Sequence, residues 1–240
     1  MKKKLITAGV LVLSASLLVA ASILGTLAFL ASSSAVSNTF TYGEVGIQML
    51  ESKVDENGED DDGPDRTVDG NSYKLIPKKT YTKDPAITVN KGSVPSYLFV
   101  KVKNGISYIE AENEDTMADQ MKANGWQPVK TNTSGEILYL YVGQNATDDP
   151  EIDPALVNAK AVGNADADEV IEIFNHFTIS ENAAVADYAG AKVTLTAFAI
   201  QTEGFTEGKD GLVGYQLAWN AIVGRFPFES GTVFTAAVAS

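Results

Sequence analysis

Apolar residues fall at alternate positions in one short run after another, and this period of two constrains the fold more than any other feature of the chain. Val45, Ile47 and Met49 alternate with Glu44, Gly46 and Gln48; Leu98, Val100 and Val102 alternate with Phe99, Lys101 and Lys103. Successive side chains of a strand point to opposite faces, so such runs describe half-buried strands. Two runs are apolar on both faces. Ile137-Leu138-Tyr139-Leu140-Tyr141-Val142 and the β-former-rich stretch from Val193 to Ile200 suit central strands. Ile171, Ile173, Phe177 and Ile179 mark a further strand with a break near Asn175-His176. Pro85 and Pro95 belong at strand edges, where a missing N–H does least harm.

Two short helices interrupt the strands. The first is expected over 114–124, with Met117 and Met121 on one face and Gly125 as its stop. The second is expected over 211–222, where Leu212, Tyr215, Trp219 and Ile222 recur at helical spacing and should pack on a sheet. Segment 55–70 holds almost no apolar residues and reads as a mobile acidic loop. Residues 143–168, with Pro150 and Pro154, read as a second long connection. Strand signals continue on both sides of each loop, and no internal repeat is visible. The expectation is therefore one all-β domain over 29–240, an antiparallel β-sandwich with two short helices and long acidic loops.

The first residues read as an export signal. Lys2, Lys3 and Lys4 form a positive start, and residues 5–24 are mostly apolar. Small residues follow at the spacing a signal peptidase needs. Thr26-Leu27-Ala28 places the favoured cut after Ala28, giving a signal over 1–28; Ser33-Ser34-Ala35 places an alternative after Ala35. Leu5 to Leu24 is also about the length that spans a bilayer, so an uncleaved anchor is the competing reading. The only expected membrane contact is through this uncleaved segment.

The chain carries 18 Lys and Arg against 31 Asp and Glu, a net charge of −13. Loss of the three leading lysines takes this to −16. Such a chain repels nucleic acid and anionic lipid, and its natural counter-charges are metal ions, cationic polymers or basic proteins. There is no cysteine, which excludes a thiol nucleophile and thiolate zinc sites. His176 is the single histidine, so a two-histidine zinc site is excluded, and it reads as a strand or bulge residue. No Gly-x-Ser-x-Gly elbow is present, and no carboxylate pair stands out for glycoside chemistry. No catalytic, cofactor-binding or metal-ligating set is expected. An EF-hand register on Gly63 would place Gly58 at the first ligand position, so that motif is absent. Loose calcium binding by Asp55, Asp60, Asp61, Asp62 and Asp65 stays open. Asn132-Thr133-Ser134 and Asn145-Ala146-Thr147 match the glycosylation sequon.

Three segments in order carry a family resemblance. The first is Gly25-Thr26-Leu27-Ala28-Phe29 followed by Asn38-Thr39-Phe40-Thr41-Tyr42-Gly43-Glu44-Val45. The second is Asp84-Pro85-Ala86-Ile87-Thr88-Val89-Asn90-Lys91-Gly92-Ser93, then Tyr97 to Val102. The third runs from Thr196 to Phe205 and ends in Ala218-Trp219. Together they resemble the TasA/camelysin family of exported proteins, whose signals are cut by a SipW-type signal peptidase. The resemblance implies a jelly-roll β-sandwich, an extracellular or cell-surface location typical of Gram-positive bacteria, and a place in biofilm matrix fibres. In such fibres an N-terminal segment of one subunit completes the sheet of the next. Camelysin-type members are described as metalloproteases; with no zinc motif here, that activity is not carried over. Phe29-Leu30-Ala31-Ser32 departs from the family's polar stretch, and Arg225-Phe226-Pro227-Phe228 has no counterpart.

The first functional expectation is a secreted structural protein that self-associates or joins other matrix proteins. Its candidate donor strand is Ser37, Asn38, Thr39, Phe40, Thr41 and Tyr42, a run of β-formers without charge. The same segment can instead be the first strand of its own sheet. The alternatives are a monomeric surface adhesin or binding module, with Tyr97, Tyr139 and Tyr141 as aromatic contacts, and a secreted hydrolase.

Overall fold

The computed structural model describes residues 31–35, 38–39, 45–59, 65–112, 115–143, 162–163, 166–205 and 212–223, the first two spans as backbone alone. The described strands are β1 (Ala31–Ala35), β2 (Asn38–Thr39), β3 (Ile47–Ser52), β4 (Arg66–Thr67), β5 (Thr80–Thr82), β6 (Ala86–Val89), β7 (Ser96–Asn104), β8 (Trp126–Thr131), β9 (Ile137–Tyr141), β10 (Glu169–Glu172), β11 (His176–Thr178) and β12 (Val193–Gln201). All pair antiparallel. A six-stranded sheet runs β2-β1-β12-β7-β9-β8, a four-stranded sheet β10-β6-β3-β4, and a two-stranded ribbon β11-β5.

The two larger sheets pack face to face through alternate residues. Ile47 and Met49 of β3, Ile87 and Val89 of β6 and Ile171 of β10 meet Leu98, Val100, Leu195, Ala197, Tyr139 and Tyr141 of the six-stranded sheet in one buried cluster. This is the all-β sandwich that the alternation predicts. The intervening residues of the six-stranded sheet are buried as well. Phe99, Leu138, Leu140, Phe198 and Ile200 form a second cluster with Tyr215, Ala218, Trp219 and Ile222. Those last four lie on helix α2 (Gly214–Val223), which covers the outer face of the sheet. The two runs that are apolar on both faces are thus β9 and β12, each flanked by strands on both sides and covered above and below.

Helix α1 spans Met117–Ala123, shorter than the expected 114–124. Thr116 adopts an extended backbone and its hydroxyl accepts from the Asp119 N–H, while the Asp119 carboxylate accepts from the Thr116 N–H. This reciprocal cap fixes the start. Gly125, at φ +88°, ends the helix in the left-handed conformation that glycine adopts without strain. Met117 and Met121 are buried core residues.

Two expectations change. Segment 55–70 is not loop throughout: residues 55–59 form a closed turn and Arg66–Thr67 return as β4 against β3. The hydrogen bonds of Lys53 and Ser52 to this returning chain tie it down. The stretch from 171 to 179 is two strands in different sheets, because the backbone leaves β6 after Glu172 and pairs with β5 from His176. In the connection 143–168, Val162 is buried and exchanges two backbone hydrogen bonds with Ser96. Pro85 and Pro95 directly precede β6 and β7.

The ends of the six-stranded sheet differ. At one edge β8 carries Pro128, which has no N–H to donate, and a register shift between Pro128 and Lys130. Both features blunt an edge. At the other side β12 is covered along five positions by β1, from Ala31 opposite Ile200 to Ala35 opposite Thr196. Asn38–Thr39 then fold back on β1.

Candidate functional site

A groove of about 980 Å³ opens between segment 69–75, the 3-10 turn Val185–Tyr188 and the start of β12. Its walls are apolar and aromatic, with Tyr73, Leu75, Ile106, Phe177 and Tyr188 among them; Asn71 and Lys83 are its polar residues of interest. Aromatic packing holds one wall. Tyr81 stacks on Phe177 at 5.1 Å between centroids, and Tyr73 meets both rings edge-on at 5.7 and 5.2 Å. The Tyr81 hydroxyl donates to the Lys74 carbonyl and accepts from the Ile76 N–H, while the Tyr73 hydroxyl donates to the Thr82 carbonyl at 2.9 Å. Segment 71–76 is therefore pinned to β5 without strand pairing.

Beside this wall lies a buried polar cluster. Lys83 Nζ donates to Glu51 Oε2 at 2.5 Å, with both side chains less than a tenth exposed. Asn71 Nδ2 donates to the other oxygen, Oε1, at 3.1 Å and to the Ser52 carbonyl at 2.8 Å. Asn71 Oδ1 accepts from the Val54 N–H at 3.1 Å. Burial, and after it the Glu51 carboxylate, pushes the Tyr73 hydroxyl well above its ordinary range. On the solvent side Arg66 donates to Asp84 Oδ2 at 2.8 Å and to the Leu50 and Asp84 carbonyls, and Asp84 also accepts from the Ser52 N–H and hydroxyl. The charged groups here are paired, Lys83 with Glu51 and Arg66 with Asp84, as burial requires.

Glu51 and Lys83 were readable as inward-pointing residues. Glu51 shares strand parity with Ile47 and Met49, and Lys83 shares it with Tyr81, so each places a charge on a core-facing position. Sequence reasoning passed over them because nothing local joins residue 51 to residues 71 and 83.

Ala28, Ser37, Phe40, Thr41 and Tyr42 lie outside the described residues; Asn38 and Thr39 form β2. His176 begins β11, half-buried, its ring bonded to the Asn175 side chain. Of the acidic residues considered for calcium, Asp60, Asp61 and Asp62 lie outside the described residues. Asp55 is engaged by its own turn: Oδ1 accepts from the Asn57 and Glu59 N–H groups and Oδ2 from the Asn57 amide. These bonds, the Glu59 N–H first, hold its carboxyl below the usual range. Asn132 is buried and its amide donates to Glu136, so this sequon is closed to a glycan, while Asn145 lies outside the described residues. Tyr139 and Tyr141 are core residues at 5% exposure, not surface contacts. Among the described residues Tyr108 is the aromatic side chain most open to solvent, at 90% exposed.

Among the described residues no helix is long and apolar enough to cross a membrane. Comparison of the chain with protein-family models, with curated proteins and with solved structures found no match.

Proposed function

We propose that this is a secreted structural protein of an extracellular matrix or cell surface, a jelly-roll-type sandwich that polymerises by exchange of its N-terminal strand. The observation that carries this reading is the way β1 covers β12. A nine-residue strand with Phe198, Ala199 and Ile200 buried would present unpaired N–H and C=O groups if β1 were withdrawn. β1 precedes every other described strand of the sandwich in the sequence. The same strand from a second copy would make the same backbone bonds, which is the low-cost route of strand exchange. Blunting of the opposite edge at Pro128 directs association to this one. Cleavage after Ala28 leaves β1 in the mature chain, whereas cleavage after Ala35 removes it.

The test compares mature protein with a form lacking residues 29–42, by electron microscopy and size-exclusion chromatography. Full-length protein is expected to form oligomers or fibres, and the truncated form is expected not to extend them. Full-length protein that stays monomeric in mild acid and raised salt, or fibres from the truncated form, would refute strand donation.

The groove favours a second reading, a monomeric surface binding module, because an aromatic-walled cleft of about 980 Å³ has the size of a ligand site. Retention of the protein on immobilised glycans, lost on Tyr188→Ala, would select this reading over the first.

A further inference from the structure

We infer that Lys83 and Asn71 form an intramolecular isopeptide bond, with Glu51 as the proton-transferring carboxylate. Three observations converge on the chemistry. The amine and the amide sit on the two oxygens of one carboxylate, Lys83 Nζ at Oε2 and Asn71 Nδ2 at Oε1. The amide carbonyl oxygen already accepts an N–H, from Val54 at 3.1 Å, where negative charge would develop on attack. The cluster is walled by Tyr73 and buried at Lys83 and Glu51, which limits water around the attacking amine, while the half-buried Asn71 borders the groove. Three residue types far apart in sequence thus meet on one carboxylate, the group that acyl transfer between them needs for its proton movements.

The step balances without any other reactant. Glu51 Oε2 takes one proton from the Lys83 ammonium, and the freed amine attacks Asn71 Cγ. The Nζ–Cγ bond forms as the Cγ–Nδ2 bond breaks. The lysine nitrogen gives up a second proton, Nδ2 takes up both through Glu51, and the leaving group departs as ammonium. Glu51 ends as it began, ionised. Asn71 and Lys83 both line the groove, so the product has an exit. The bond would staple segment 69–75 to the end of β5 in a chain that has no cysteine for a disulfide.

A second set, Lys101, Glu136 and Asn132, has the same composition and a different geometry. Lys101 Nζ lies 3.4 Å from Oε2, the same oxygen that Asn132 Nδ2 occupies, and both charged side chains are nearly a fifth exposed. Asn132 Oδ1 is bound by Ser134 and Glu136 of its own loop. It serves as the internal control and should not react.

The test is peptide mapping by mass spectrometry on the folded protein. Trypsin should release Thr67–Lys74 joined to Thr80–Lys91, short of one ammonia and uncut at Lys83. Fragmentation should place the branch at Asn71 and Lys83. Glu51→Gln should yield three separate peptides, Thr67–Lys74, Thr80–Lys83 and Asp84–Lys91. Asn71→Ala, which leaves Lys83 paired with Glu51, should do the same even if Glu51→Gln fails to fold. Unjoined peptides from the wild-type protein would overturn the inference. So would a linear Thr67–Lys74 peptide short of ammonia, which is asparagine cyclisation onto its own backbone. Joined peptides from folded Glu51→Gln at the wild-type yield would overturn the role of the carboxylate.

Discussion

Replacing Trp219 by alanine tests whether α2 is an integral layer of the sandwich. The indole is fully buried on the outer face of the six-stranded sheet, 5.1 Å from the Phe99 ring and 5.3 Å, edge-on, from Phe198. Truncating a buried aromatic of this size costs about 3–5 kcal/mol, the two ring contacts included. Against a typical domain stability of about 5–15 kcal/mol, a loss near 4 lowers the folded-to-unfolded ratio roughly a thousandfold. With a urea dependence of about 2 kcal/mol per molar, the unfolding midpoint should fall by about 2 M. Trp219→Phe keeps a ring between Phe99 and Phe198 and should lose only about 1–1.5 kcal/mol. Trp126 remains as the fluorescent reporter, buried with its Nε1 donating to the Glu172 carbonyl at 2.8 Å, so unfolding of the sandwich itself is followed. A midpoint shift under about 0.5 M for the alanine variant would refute the reasoning. The helix would then be an appendage whose packing does not support the sheet.

Three further predictions rest on other parts of the molecule. Gly163 has φ +89°, and a Cβ there would meet the Ser93 and Val94 carbonyl oxygens at 2.8 and 2.9 Å; Gly163→Ala should destabilise by about 1–3 kcal/mol, and an unchanged melting temperature would disprove the close approach. Burial raises the Glu110 carboxyl above its ordinary 4.5, partly offset by hydrogen bonds from the Met117 N–H and the Asn104 amide. The folded form therefore holds this proton more tightly, so the Glu110 contribution to stability is fully present below pH 4.5 and is lost as pH rises through the raised value; a carbon-13 NMR midpoint below 4.5 would reverse the sign. Charge repulsion between copies acts over about 10 Å at 0.1 M salt, so self-association should increase with mild acid toward the pI of about 4.5, with salt or with calcium. Light scattering strongest at neutral pH and low salt would show that repulsion is not the controlling term.

The period of two at Val45–Met49 and Leu98–Val102 determined strands, and with them the sandwich, because a pleated chain can bury one set of alternate side chains only against another sheet. Residues 137–142 and 193–200 announced burial on both faces for the same local reason. The helical spacing of Leu212, Tyr215, Trp219 and Ile222 announced what would cover them. Local chemistry also marked the stop of α1 at Gly125, though its start moved to Thr116, where the Thr116–Asp119 cap ends the competition among nearby acidic residues. The partner of each strand was not legible. Pairing depends on chain segments far apart, so β1 against β12, and the switch of sheet between Glu172 and His176, follow only from the closed core. The same holds for the tyrosines: Tyr139 and Tyr141 look like surface contacts until the opposing sheet is in place. Glu51, Asn71 and Lys83 are the sharpest case. Parity alone aims Glu51 and Lys83 inward, but only tertiary structure brings the amide of a loop residue to the carboxylate that already holds the lysine. A buried charge is tolerated solely where its partners converge, and convergence is a property of the fold.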